Sequence, residues 1–148
     1  MAALSTFLFY AVEISARFYG GVKVLREPAS QVWDDIVAYI ILSPVSSGFL
    51  ALPYIIVGLL SARVAHRATL EIAIWIFGPC IAVLGLMYWN GQMESMEALT
   101  ARKWTASALA VGLRPFEAIP IIIGAGVLQW LAVRKYRLDS RAHQERRS

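Results

Sequence analysis

The chain has 148 residues, of which 58% are apolar and only 16% charged, with a formal net charge of +4. Soluble domains average about 45–50% apolar and about 25% charged, so both departures point to a lipid-solvated protein and away from a disordered one. A single cysteine, Cys80, excludes a disulfide framework and a cysteine-ligated metal cluster.

From Met1 to Val12 the chain is apolar except for Ser5 and Thr6. Thr6, Tyr10, Glu13 and Arg17 then recur at helical steps and form one narrow polar stripe. Glu13 stands four residues before Arg17, the favourable order for an ion pair on a helix. Two placements fit: a span over residues 4–25 that hides the pair against neighbouring helices, or an amphipathic helix lying in the interface. The narrow stripe favours the span, since in-plane helices carry a broader Lys/Arg-rich face. No Lys or Arg precedes Arg17, so the segment lacks the basic start of a cleaved signal peptide.

Gly20 to Asp35, with Gly20-Gly21, Pro28 and Ser30, reads as a loop. Asp34 and Asp35 at its end read as acidic residues capping the start of the next helix. As a cation site they would have only Glu27 nearby, too few ligands.

A hydrocarbon core of about 30 Å needs about 20 mainly apolar residues. Residues 36–60 and 72–89 meet that length without a charge, and residues 115–133 meet it with only Glu117 near the start. Trp33 and Tyr39, Trp75 and Trp89, and Trp130 and Tyr136 sit near the ends of these runs, as interfacial aromatics do. Residues 61–69 form a short basic turn with Arg63 and Arg67. Within the connection 90–114, residues 93–103 are charged and helix-compatible. Residues 104–113 are apolar but too short to cross, and read as an interfacial or re-entrant helix. Residues 134–148 form a highly charged, frayed tail.

The expected fold is therefore all-α. It is a small polytopic transmembrane bundle over residues 1–133, with about four transmembrane helices, a short amphipathic helix and a basic cytoplasmic tail. Sidedness follows from counting Lys and Arg. The tail (Arg134, Lys135, Arg137, Arg141, Arg146, Arg147) and the 61–69 turn hold eight, against five at Lys23, Arg26, Arg102, Lys103 and Arg114. The C-terminus is then cytoplasmic, in a multi-pass protein of a bacterial inner or plasma membrane. The basic tail lacks interleaved aromatics, so it reads as a topology determinant near anionic lipid and not as a nucleic-acid arm.

Each long run contains helix-breaking residues: Ser43, Pro44, Ser47, Gly48 and Pro53 in the first, Gly78 and Pro79 in the second, Pro120, Gly124 and Gly126 in the third. Such breaks build ion and substrate sites in transporters, but small residues and prolines also serve close helix packing. Ser43/Ser47, Gly58/Ala62, Ala106/Ala110 and Ala108/Gly112 have that four-residue spacing, and packing is the preferred reading.

Glu13, Arg17 and Glu117 are the candidate intramembrane polar site, since ionisable residues at membrane depth mark ion or proton pathways. The competing reading for Glu13–Arg17 is a structural pair, and for Glu117 an acidic residue at a helix start. His66 and His143 have no second ligand at metal spacing, and Cys80 reads as a small hydrophobe. No phosphate-binding loop, nucleophile elbow or zinc motif occurs, so no metal, cofactor or catalytic residue is expected. These features favour an accessory, assembly or interaction subunit whose partners are the bilayer and other membrane proteins or further copies of itself. A small oligomeric channel or transporter using Glu13 is the first alternative. A lipid-acting enzyme using Asp34, Asp35 or Glu117 is the second.

Overall fold

A computed structural model describes the backbone of residues 1–145 and the side chains of residues 1–138. The expectations for Arg141, His143, Arg146 and Arg147 concern side chains outside the described residues. The fold is an all-α bundle, with no strand among the described residues. Among the described residues seven α-helices follow in order: α1 (Ala2–Gly20), α2 (Ala29–Leu42), α3 (Pro44–Arg67), α4 (Leu70–Thr100), α5 (Trp104–Gly112), α6 (Arg114–Glu117) and α7 (Ile119–Glu145). A π-helical turn, Gly21–Leu25, extends α1.

Local chemistry sets most boundaries. Arg26 in the left-handed region (φ 59°) ends the π turn, and Pro28 precedes α2. Ser43 leaves helical geometry and Pro44 opens α3, where a missing N–H costs nothing. Thr69 caps α4 by accepting from the Ile72 amide at 3.3 Å, and Glu71 sits favourably in the first turn. Arg102, also left-handed (φ 58°), turns the chain from α4 into α5.

Several sequence boundaries move. The uncharged stretch 36–60 is two helices, because Ser43–Pro44 interrupts it. Residues 20–35 are mostly helical, since only residues 26–28 separate the π turn from α2. Asp34 and Asp35 therefore lie in the second turn of α2 and cap nothing. The basic turn shrinks to Ala68 and Thr69, because α3 continues through Arg67. Residues 93–100 belong to α4, and the segment expected to be a frayed tail is helical to Glu145. The short apolar helix α5 exists, but it runs through α6 into α7 with only Leu113 and Ala118 as single-residue joints.

Three helices are long and apolar enough to cross a membrane: α3, α4 and the combined run Trp104–Leu138. At 1.5 Å per residue, the 31-residue α4 is about 46 Å long. α1 packs on α3 and α4, α7 on α3 and α4, and α5 folds back along the end of α4. The core is Phe9, Leu50, Ala51, Tyr54, Val57, Phe77, Leu84 and Tyr88. Phe9, Tyr54 and Tyr88 meet edge to face at 5.4–5.8 Å, the favoured aromatic geometry. Outside, large apolar side chains such as Phe7, Ile41, Trp75, Leu86 and Ile123 are exposed.

Candidate functional site

Of the stripe Thr6–Tyr10–Glu13–Arg17 only Glu13 is buried; the other three are half-buried at the edge of the inward face of α1, which is Ser5, Phe9, Glu13, Ala16 and Gly20. Ser5 lies against Gly58 of α3, where a Cβ would approach Ala2 Cα to 3.0 Å, so this glycine permits the close α1–α3 crossing. The next residue, Thr6, donates through Oγ1 to its own helix at Ala2 O, 3.0 Å away. Tyr10 OH then reaches Ser47 Oγ at 3.4 Å, and Ser47 itself donates to Pro44 O at 3.1 Å beside the α2–α3 break.

The next turn places Glu13 at 1% exposure. Its Oε1 accepts from Arg17 Nε on the same helix and from Gln92 Nε2 on α4, each at 2.7 Å. Two donors from different helices thus converge on one oxygen of a buried side chain. The Arg17 guanidinium sits over the Tyr39 ring of α2, its Cζ 3.8 Å from the centroid. Glu13 thus ties α1 to α4, and Arg17 ties α1 to α2. Among the described residues, Glu13 Oε2 and the hydroxyls of Tyr39 and Tyr54 are buried without a hydrogen-bond partner, whereas Tyr88 OH donates to Leu50 O at 2.7 Å. Arg17 and Tyr39 also form one end of an open apolar groove of about 540 Å³, walled by Val45, Phe49, Leu50 and Val111.

A second polar junction centres on Arg114. Its guanidinium pairs with Glu94 of α4 and, at 2.6 Å, with Glu117, while its Nε donates to Ala110 O at 2.8 Å. Nearby, the buried hydroxyls of Ser95 and Ser107 bond each other at 2.7 Å. Glu117 is thus brought to Arg114 and not to Glu13. Asp34 and Asp35 are exposed on α2, with no ion pair to either junction among the described residues.

The helix-break candidates separate into distinct environments. Ser43 and Pro44 form a real break, and Ser47 is buried. Gly78 and Pro79 lie on an exposed face of an uninterrupted α4, and Pro120 is exposed at the start of α7. Gly48, Gly78, Gly124 and Gly126 have no atom of another described helix within 4 Å of a Cβ position, so no neighbouring helix among the described residues packs there. No group of three or more His, Cys, Asp or Glu residues is placed to hold a metal among the described residues.

Sequence reasoning missed Gln92, Arg114, Gln129 and the tyrosines at positions 54 and 88. Gln129 of α7 is buried against Ser61 of α3. The available signal for Gln92 was a polar residue on a helix whose apolar run had been ended at Trp89. A scan against protein-family models, a search of curated proteins and a search of solved structures each give no match to this chain.

Proposed function

We propose that this is a multi-pass protein of a bacterial inner or plasma membrane, with a cytoplasmic C-terminus, acting as a non-catalytic accessory or assembly subunit of a larger membrane complex. The observation that carries this reading is how the polar groups between its helices are used. Glu13 links α1 to α4, Arg114 links α4 to α6, and Ser95 links α4 to α5. Each of these groups spends a polar atom on holding two helices together. The exposed helix faces supply docking area. On α7, Gly124 and Gly126 have open space beside exposed Ile123 and Val127, which suits close approach of another helix.

The Lys/Arg imbalance supports the orientation. With the hydrocarbon starting near Leu70, Gln92 lies about 33 Å along α4, so the Glu13 cluster sits at the opposite boundary of a core about 30 Å thick. That depth makes the pair less costly than one at mid-membrane.

Purification in mild detergent after in-membrane cross-linking tests the proposal. A stoichiometric membrane partner, or a discrete homo-oligomer, is the expected result, and a monodisperse free chain opposes it. Reporter fusions at Ser148 read the sidedness.

One observation favours a second reading, a small channel or transporter. Glu13 Oε2 and the Tyr54 hydroxyl are buried unpartnered together in the bundle, and a polar solute or proton would satisfy them. Proteoliposome flux abolished by Glu13→Gln supports that reading, and absence of flux removes it.

A further inference from the structure

We propose that the cavity between the C-terminal end of α3 and α7 binds the phosphate group of an anionic phospholipid. The cavity holds about 390 Å³ and is lined by Arg67, Trp130, Val133, Arg134, Arg137 and Leu138. Two helices thus bring three arginines to one space, with no carboxylate among its described lining residues. The ion pairs of the described residues engage Arg17 and Arg114 only, so these three arginines have no acidic partner there. Like charges repel, and their convergence on one cavity is relieved by a bound anion. Arginine forks suit phosphate oxygens, which accept several charge-assisted hydrogen bonds at once. Arg134 is also held over the Trp130 ring, 5.4 Å from its centroid.

The rest of the lining says which anion. Trp130, Val133 and Leu138 give the cavity an apolar wall, which free phosphate does not need and an acyl glycerol does. The volume falls within the roughly 300–1,000 Å³ typical of small-molecule sites. Basic pockets between helices at the cytoplasmic face hold acidic head groups in this way. The site rests on the membrane placement proposed above.

The test uses the full chain extracted from membranes in detergent and titrated with phosphatidylglycerol or phosphatidylcholine, with retained lipid read by native mass spectrometry. Wild type is expected to retain one phosphatidylglycerol at least about tenfold more tightly than phosphatidylcholine. The Arg67→Gln/Arg134→Gln/Arg137→Gln variant loses that preference. Arg63→Gln, one turn earlier on α3 and outside the cavity, keeps it. Because the three arginines are exposed, the triple variant keeps its helical circular dichroism and elution volume. Equal retention of both lipids overturns the proposal, as does a triple variant that still discriminates or an Arg63→Gln variant that loses discrimination. Displacement of the lipid by equimolar inorganic phosphate overturns the amphiphile assignment. A chain released by carbonate washing fails the membrane placement instead, a distinct result read before any lipid is added.

Discussion

Gly91 and Arg114 occupy adjoining space. A Cβ on Gly91 would collide with the Arg114 guanidinium Nε and stand 2.9 Å from the Ala110 carbonyl oxygen. The absent side chain lets α5 and α6 lie against the end of α4 and lets Arg114 reach Glu94. Gly91→Ala is therefore expected to destabilise by about 1–3 kcal/mol, the usual cost of overpacking. Gly48→Ala, with no other residue within 4 Å beyond its chain neighbours, should stabilise by about 0.5–1 kcal/mol through helix propensity. Thermal unfolding in one detergent checks both, and equal effects would contradict the packing described.

Glu13 is the hinge of the internal polar network. Glu13→Ala leaves Arg17 and Gln92 without their acceptor, and is expected to cost about 3 kcal/mol. The low end of the buried-pair range applies because the Arg17 side chain keeps 23% exposure. Glu13→Gln retains an acceptor and should cost less. A double-mutant cycle between Glu13 and Gln92 should give a coupling of about 1–2 kcal/mol, and additivity would sink the inter-helix bond.

Tyr54 and Tyr88 lie side by side but differ in their hydroxyls. Tyr88→Phe removes a bond to Leu50 O and should cost about 1 kcal/mol, whereas Tyr54→Phe removes an unpartnered buried hydroxyl and should be neutral or stabilising. Stability measured in detergent for the pair decides the point. A Tyr54→Phe loss matching that of Tyr88→Phe would mean that the Tyr54 hydroxyl is engaged.

Gly58 repeats the Gly91 argument at the crossing of α1 and α3. Gly58→Val should weaken the α1–α3 crossing at Ser5 by about 2 kcal/mol or more, while Gly126→Val faces open space. Proteolytic susceptibility of the N-terminal segment should rise for the first variant alone.

The class of fold was legible in apolar run length, because the cost of exposing backbone to lipid depends on a local quantity. The break at Ser43–Pro44 was not, since an uncharged run reads straight through it. The restriction that Pro44 places on Ser43, together with proline's preference for the first helical position, was the signal to use. Glu13 and Arg17 were legible as a pair because they are one turn apart. Their α4 partner was not, because Gln92 lies 79 positions from Glu13 and no periodic pattern encodes that distance. Arg114 was counted as a loop charge for the same reason: Glu94 meets it only once α5 has folded back.

The joint between α2 and α3 has a mechanical consequence. Ser43 alone separates two rods, and the imino nitrogen of Pro44 has no hydrogen to give back to α2. Swinging α2 therefore requires rotation about the backbone bonds of Ser43 at one end and of residues 26–28 at the other, and sacrifices the Ser43 amide bond to Tyr39 O, while the ladder of α3 stays whole. Since α2 carries Tyr39 beneath the Arg17 guanidinium, such a swing would uncover that cation without unwinding a single turn.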